Sequence, residues 1–181
     1  MKILIPLADG LEEIEAITNI DVLRRAGIKV ITAGLNDLEV TGAHDIVIKA
    51  DRLIDEVRAE EFDGIILPGG MPGSTNLRDN DKVIKLVQKL NTDGKLVAAI
   101  CAAPIALEKA GVIRNRKATS YPGFDREMVS CDYLEERVVV DGNLITGRGP
   151  GVALEFAITV VQYLLGEEKA AELKEGMLAN F

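Results

Sequence analysis

Residues Leu96-Val97-Ala98-Ala99-Ile100-Cys101-Ala102-Ala103-Pro104 form a short apolar run that leads without a break into a cysteine, two small residues and a proline. Such a continuous apolar run is typical of a strand that is buried on both faces of a parallel sheet. We therefore expect a strand over 96–100 and a helix over 102–110, which Gly111 ends. Cys101 then lies at the corner between the strand and the helix.

The same alternation of apolar runs and helical stretches continues on both sides of this corner. It predicts further strands over 2–6, 28–33 and 64–67, less regular strand patterns over 38–40 and 45–49, and helices over 12–26, 81–90, 151–165 and 169–178. The dipeptide Asp141-Gly142 predicts a small β-hairpin between 137–140 and 143–146. Strands that alternate with helices predict an α/β fold, with a doubly wound parallel sheet sandwiched by helices.

The composition excludes several classes of protein. The chain has 181 residues, of which 48% are hydrophobic and 28% charged, and its formal net charge is −8. The length predicts a single domain over 1–181, because dividing the number of residues by roughly 150 gives about one domain. No apolar run approaches the ~20 residues that a membrane span requires, and the negative charge argues against a nucleic-acid surface. We therefore expect a soluble protein with neither a membrane nor a nucleic-acid partner.

Cysteine and histidine usage narrows the chemistry further. Cys101 and Cys131 fit neither a zinc site nor a disulfide framework, which indicates a reducing cytoplasm. The N-terminal apolar run is too short for a signal peptide. His44 is the single histidine, so a metal site built on several histidines is excluded and a Ser-His-Asp triad would have to use His44. Neither a metal nor a cofactor is expected.

Three predicted strand ends carry unusual residues. They are the stretches Asp9–Glu15, Pro68–Gly73 and Ala99–Pro104. Ligands of parallel α/β sheets bind outside the carboxyl ends of the strands. We therefore expect these stretches to converge on one site.

Cys101 is the sharpest candidate in this group. A strand–turn–helix corner exposes a nucleophile, and a helix N-terminus favours the thiolate. A free cysteine with a pKa of ~8.5 is only a few per cent thiolate at pH 7, and lowering that pKa by about three units, or roughly 4 kcal/mol, makes the thiolate dominant. The alternative is a buried structural cysteine, and position alone leaves both interpretations open.

Glu15 and the pair Gly69-Gly70 are the next candidates. Glu15 lies between apolar positions after a strand end, and it can point toward Cys101 as a protonated hydrogen-bond donor or as a general base. The glycines can direct backbone N–H groups at a developing oxyanion, although a plain tight turn has the same sequence. The helix dipole alone explains Glu12 and Glu13.

Three other positions fit structural roles as well as functional ones. Arg148 precedes the predicted helix over 151–165, where it can belong to an anion-binding helix start or to a plain capping turn. His44 lies in the irregular section, where a lone histidine is more often a surface or edge residue than a catalyst. Cys131 has no strand–helix corner and no evident partner, and we interpret it as structural.

Four blocks of the sequence together resemble the ThiJ/PfpI superfamily. They are Gly10–Glu15, Leu67–Gly70, Ala98–Pro104 and Thr146–Gly151, in the same order and at similar spacing over essentially the whole chain. The stretch Asp21–Val30 is similar to the DJ-type branch, which includes the parkinsonism-linked protein and bacterial deglycase-like enzymes. The resemblance implies a flavodoxin-like sandwich and a homodimer, whose expected interface is the helix that carries Glu15, Arg24 and Arg25.

The resemblance also implies roles for residues of the three strand ends. Cys101 would be the nucleophile, Glu15 its protonated partner or general acid/base, and Gly70 and Ala102 the backbone oxyanion donors. The activities attributed to the branch are cofactor-free: glyoxalase III-type conversion of methylglyoxal to lactate, and repair of early glycation adducts. The branch is also given chaperone and oxidative-stress roles, and the resemblance implies ready oxidation of Cys101 to sulfenate and sulfinate.

Three positions depart from the family pattern. Ala102 follows the cysteine where protease-named members have a histidine, so a Cys–His peptidase mechanism is poorly supported. Tyr121-Pro122 stands where the branch often has a histidine before a proline, and a tyrosine can donate a hydrogen bond but does not replace histidine as an acid/base at neutral pH. His44 aligns with an arginine of some relatives. Gly69, Tyr121, Pro122, His44 and Arg148 are candidates for residues that line the site.

The main hypothesis is a cytoplasmic, cofactor-free enzyme in which Cys101 adds to an α-oxoaldehyde or acts on a glycated amino acid or protein. The first alternative is a redox-sensing, chaperone-like protein that uses the oxidation state of Cys101. The second alternative is an intracellular cysteine peptidase.

Overall fold

A central sheet with helices on both faces organises the computed structural model, which describes residues 1–181. The strands are β1 (Lys2–Leu7), β2 (Lys29–Gly34), β3 (Glu39–Thr41), β4 (Val47–Lys49), β5 (Arg52–Leu53), β6 (Gly64–Leu67), β7 (Leu96–Ile100), β8 (Lys117–Ala118), β9 (Asp132–Tyr133), β10 (Val138–Asp141) and β11 (Leu144–Gly147). The helices are α1 (Glu13–Arg25), α2 (Gly73–Asp79), α3 (Asp81–Thr92), α4 (Pro104–Ala110), α5 (Ala153–Leu165) and α6 (Glu167–Gly176). None of these helices combines the length and the apolar character that a membrane crossing requires.

The central sheet has the strand order β10-β11-β7-β6-β1-β2-β5. All neighbouring strands in it are parallel except β10 and β11, which form the predicted hairpin around Asp141-Gly142. Numbered along the chain, the strands β1, β2, β6, β7 and β11 follow the order 2-1-3-4-5 of flavodoxin-like folds. The predicted α/β class, a doubly wound flavodoxin-like sandwich with a small hairpin, is confirmed.

Each face of the sheet is covered by its own set of helices. Helices α1, α5 and α6 pack into a cluster of 29 buried residues on one face. Helices α2, α3 and α4 pack into a cluster of 25 buried residues on the other. Helix α3 shows how the sequence produces this arrangement: Val83, Leu86, Val87 and Leu90 recur at helical spacing and are all buried. Burial from both sides explains the continuous apolar runs of β1, β6 and β7.

The topology also determines where a site can form. Strands β1 and β6 pair directly although β2 to β5 lie between them in the sequence, so the order of strands reverses at this point. Ligand sites of open α/β sheets lie outside the carboxyl ends of the strands at such a reversal. The stretches Asp9–Glu15, Pro68–Gly73 and Ala99–Pro104 follow or end β1, β6 and β7, which are neighbours in the sheet.

Some element boundaries differ from the prediction where the backbone leaves regular geometry. Helix α4 begins at Pro104 and not at residue 102, because Cys101 has a left-handed φ of 63° and residues 101–103 form a turn. Helix α5 begins at Ala153, after a 3-10 turn over Pro150–Val152. The irregular section forms β3 and β4, which pair as a separate hairpin outside the central sheet.

Candidate active site

Cys101 is held in a sharp corner between β7 and the turn before α4. Its φ of 63° places a non-glycine residue in the left-handed region, which costs roughly 1–2 kcal/mol. Two backbone hydrogen bonds hold the corner: the Cys101 N–H donates to the Gly147 carbonyl and the Tyr121 N–H donates to the Cys101 carbonyl, both at 2.9 Å. The corner thus presents the thiol at the carboxyl end of the sheet.

Glu15 reaches the same point from the first turn of α1. Its side chain is fully buried, and its Oε2 accepts a hydrogen bond of 2.8 Å from the Gly69 N–H. The carboxyl also interacts with the thiol of Cys101. Burial raises the pKa of Glu15 to about 7, against the lowering effects of the bonds from Gly69 and Cys101, and the charge of Glu12 raises it further.

The thiol and this carboxyl influence each other. Burial raises the pKa of Cys101 to about 12, and a negative charge on Glu15 is the second cause. The backbone N–H groups of Gly70 and Ala102 donate toward the sulfur and oppose this rise. The expectation of an exposed thiol with a lowered pKa is therefore wrong for the resting site, because Cys101 is only 9% exposed and lies beside a carboxyl, before the first residue of α4. The raised pKa values of both groups mean that the pair carries at most one negative charge at neutral pH.

Two glycines make this close approach possible. A Cβ atom on Gly69 would lie 2.6 Å from the Cβ of Cys101 and would also collide with Glu15 Oε2. Gly70 has a φ of +89°, and a Cβ there would lie 2.6 Å from the Gly10 carbonyl oxygen. The loop after β6 therefore packs backbone against backbone on the loop after β1, which directs the Gly70 N–H at the sulfur.

A cavity of about 250 Å³ opens above the thiol. It is lined by Cys101, the loop residues Gly70 and Ala102, the carboxylate residue Glu12 and the larger side chains Met71, Tyr121, Phe124 and Pro150. This volume is close to the lower end of small-molecule pockets, about 300 Å³. A sulfur nucleophile and two residues that supply N–H donors thus line one small cavity, and the acid/base group of Glu15 lies buried beside the sulfur.

Only some of the other residues predicted from the sequence line this cavity. Tyr121 lines it, with a side chain that is 46% exposed. Gly69, Pro122, His44 and Arg148 do not line it, which corrects the expectation for these four residues. The ring of His44 is held 2.8 Å from Glu13 Oε2, Arg148 pairs with Glu135 at 3.2 Å, and Pro122 lies on an exposed turn.

Sequence reasoning missed several residues of the wall. Glu12 was explained by the helix dipole, yet its side chain faces the cavity and is only 15% exposed. Its position directly after a strand end was the available signal. Met71 and Pro150 lie within quoted motifs, whereas nothing in the local sequence indicates Phe124, which lies in a 3-10 turn over Phe124–Glu127.

The fold and the site together define a class: flavodoxin-like α/β proteins with a cysteine at the corner after β7, the strand beside β6 in the sheet. The sequence profile of the DJ-1/PfpI family matches residues 1–163. The chain belongs to the DJ-1/PfpI family, as the four sequence blocks predicted.

Individual relatives support this assignment. The crystal structure of Drosophila melanogaster DJ-1beta is 43% identical and superposes with a TM-score of 0.96, covering 99% of this chain and 98% of that one. Protein DJ-1 homolog B of Arabidopsis thaliana is 45% identical over 175 residues, which are 95% of this chain but 40% of that protein. A Pyrococcus abyssi protein named a deglycase is 38% identical over 153 residues, covering 83% of this chain and 92% of that protein.

Proposed function

We propose that this protein is a cofactor-free enzyme that converts α-oxoaldehydes such as methylglyoxal to hydroxy acids and acts on early glycation adducts, with Cys101 as the nucleophile. The observation that carries the proposal is the thiol of Cys101, which lines a small cavity and interacts with the buried carboxyl of Glu15. The relative named a deglycase supports the substrate class.

In the first step, the thiol of Cys101 attacks the substrate and the ionised carboxyl of Glu15 acts as the base. The Cys101 sulfur bonds to the aldehyde carbon while the thiol proton passes to the Glu15 carboxylate, whose pKa of about 7 lets it serve as a base at neutral pH. The carbonyl oxygen becomes an oxyanion beside the N–H groups of Gly70 and Ala102. Glu15 then returns the proton to that oxygen, which leaves a neutral hemithioacetal.

The later steps move one proton between two carbons and one between two oxygens. Ionised Glu15 removes the proton from the carbon bonded to sulfur while the neighbouring carbonyl oxygen is protonated, which gives an enediol. The enediol then loses the hydroxyl proton on the sulfur-bearing carbon as Glu15 delivers its proton to the neighbouring carbon, so that the hemithioacetal becomes a thioester. Water then cleaves the thioester, the hydroxy acid leaves and the thiol is restored. The sum is one aldehyde plus one water giving one hydroxy acid, so that no external oxidant or reductant is needed.

The test is direct measurement of D- and L-lactate after incubation with methylglyoxal, with Cys101→Ser as the control. We expect lactate from the wild type and none from Cys101→Ser. Loss of aldehyde alone does not distinguish turnover from trapping by nucleophiles, so lactate itself is assayed. Turnover in Cys101→Ser would contradict the mechanism.

A redox-sensing, chaperone-like role is the second candidate, because the cavity gives small oxidants access to Cys101. Selective peroxide oxidation of Cys101 together with an absence of lactate formation would favour it. A cysteine peptidase is less well supported, because the single histidine, His44, is held by Glu13 and does not line the cavity.

The proposal extends to the state of the protein in the cell. We also propose that residues 1–181 form a single domain and that the protein is a homodimer. The two copies would meet through α1, where Ile14 and Ile17 are 56% and 46% exposed. The proposal places the protein in the reducing cytoplasm, consistent with the free thiols of Cys101 and Cys131.

A further inference from the structure

The wall of the Cys101 cavity carries an unbalanced charge. Glu12 is the one carboxylate in the wall, and no lysine, arginine or histidine side chain lines the cavity. The floor is formed by Cys101, whose thiol interacts with the buried carboxyl of Glu15, and this pair adds at most one negative charge at neutral pH. The charge of Glu12 acts on this floor, since it contributes to the raised pKa of Glu15.

The surroundings of Glu12 hold it at the cavity without neutralising it. Its backbone is held by a bond of 2.8 Å from its N–H to the Gly69 carbonyl, and its side chain makes no capping bond to α1. The basic side chain paired with Glu12 is His44, but its Nδ1 lies 3.9 Å from Glu12 Oε2 and only 2.8 Å from Glu13 Oε2. A protonated His44 therefore balances one of two carboxylates, and the one it bonds is Glu13.

The remainder of the wall is apolar. Met71, Phe124 and Pro150 surround the opening, and the ring of Tyr121 completes it. At roughly 30 Å³ for each water, the volume of about 250 Å³ corresponds to several waters and exceeds what a three-carbon aldehyde needs. Apolar walls gain free energy when they cover apolar substrate surface, so an extended apolar substituent fits this cavity better than a charged one.

We propose that Glu12 is a specificity-determining residue, which makes the cavity accept α-oxoaldehydes with uncharged apolar or aromatic substituents and reject carboxylated ones. The statement about substrates rests on the proposed function, whereas the statement about charge concerns any reagent that reaches Cys101. Two charges a few ångströms apart near a protein surface interact strongly enough to change a rate by about tenfold.

The first experiment needs no catalytic turnover. Iodoacetamide and iodoacetate both alkylate a thiol by forming a sulfur–carbon bond and releasing iodide, but only iodoacetate is an anion. Rates of alkylation at Cys101 are measured by peptide mass spectrometry in the wild type, in Glu12→Gln and in Glu168→Gln. Glu168 is an exposed carboxylate of α6, so both variants change the net charge equally and only one changes the cavity.

We expect the ratio of the iodoacetamide rate to the iodoacetate rate to fall about tenfold in Glu12→Gln and to stay at the wild-type value in Glu168→Gln. An unchanged ratio in Glu12→Gln overturns the proposal, and so does an equal fall in both variants, which would indicate a long-range effect of net charge. A Cys101 that reacts with neither reagent while the denatured protein does also overturns it, because the cavity would then be closed.

The second experiment concerns the substrate. Formation of the hydroxy acid is compared for phenylglyoxal and 4-carboxyphenylglyoxal, which differ in one carboxylate. We expect the wild type to prefer phenylglyoxal and Glu12→Gln to lose about tenfold of that preference. Turnover of methylglyoxal but not of phenylglyoxal contradicts the aromatic part of the proposal. If no aldehyde is turned over, the proposed function fails, and the alkylation ratio still decides the role of Glu12.

Discussion

The side chain of Glu15 is fully buried, and this burial determines the chemistry of its carboxyl. A buried carboxyl favours its neutral form, because the charged form loses hydration that one backbone N–H only partly replaces. The bond from Gly69 and the thiol of Cys101 hold the carboxyl in place but leave its pKa at about 7. The same burial that makes Glu15 a useful base at neutral pH should therefore destabilise the folded state.

This destabilisation should appear as a dependence of stability on pH. Because the pKa of Glu15 rises from 4.5 to about 7 on folding, the folded state binds more protons between these values. The contribution to stability is complete below pH 4.5 and is lost as the pH rises through about 7, a loss of about 3 kcal/mol. We expect Glu15→Gln to remove this loss, as measured by urea unfolding at pH 4.5 and pH 8.

The informative quantity is the difference in the free energy of unfolding between Glu15→Gln and the wild type. This difference should move in favour of the variant by about 3 kcal/mol across the range. Glu168→Gln serves as the control because Glu168 is exposed. A difference that is constant from pH 4.5 to pH 8 would show that Glu15 is already ionised at low pH in the folded protein.

At the scale of elements, the loop after β6 must lie directly on the loop after β1. Gly70 combines a φ of +89° with backbone atoms of Leu11 and Glu12 beside the missing Cβ, whereas Gly94 has a φ of +70° and nothing within 4 Å. Replacing either glycine by alanine forces a left-handed alanine, but only Gly70→Ala also creates a collision with backbone.

We therefore expect Gly70→Ala to cost about 1–3 kcal/mol more than Gly94→Ala in the free energy of unfolding. It should also slow lactate formation, since the Gly70 N–H would move away from the sulfur. Urea unfolding of both variants measures the first effect and the lactate assay the second. Equal costs for the two variants would mean that the two loops can separate without loss.

Strands and helices were predictable where the sequence has a clear pattern of apolar residues or a residue that ends a helix. The buried strands β6 and β7 agree with the apolar runs 64–67 and 96–100, and Gly111 ends α4 in a left-handed conformation as expected. The start of α4 was not predictable, because Cys101 has a left-handed φ and its backbone forms hydrogen bonds with distant residues, to the Gly147 carbonyl and from the Tyr121 N–H.

The site was predictable only in part. Cys101, Glu15 and Gly70 could be placed together, since adjacent parallel strands end at one edge of the sheet. The raised pKa of Cys101 could not be foreseen, because it depends on how much of the thiol the neighbouring loops bury. Phe124 lines the cavity through tertiary contacts, which no local sequence pattern indicates.

At the scale of the whole molecule, α1 presents apolar residues on the side opposite Glu15. Ile14 and Ile17 are half exposed, whereas Glu15, Ala16 and Asn19 of the same helix are buried. Adjacent exposed apolar residues on one helix favour association more than single ones do. The helix that would form the interface is thus also the helix that holds the acid/base group.

We expect the wild type to sediment as a dimer, at twice the chain mass of 19.5 kDa, and Ile14→Lys to sediment as a monomer. Val129→Lys is the matched control, because Val129 is an apolar residue with 80% exposure outside α1. Sedimentation velocity at several concentrations measures the outcome. A wild-type monomer, or a dimer that survives in Ile14→Lys, would contradict an interface through α1.

The measurement that tests the central claim most directly is the rate of lactate formation from methylglyoxal between pH 5.5 and 8.5. If ionised Glu15 takes the proton of the Cys101 thiol, the wild-type rate should rise with pH and level off above a midpoint of about 7, the pKa of Glu15. Cys101→Ser should form no lactate at any pH. A wild-type rate that is independent of pH across this range, or lactate formation by Cys101→Ser, would contradict the account.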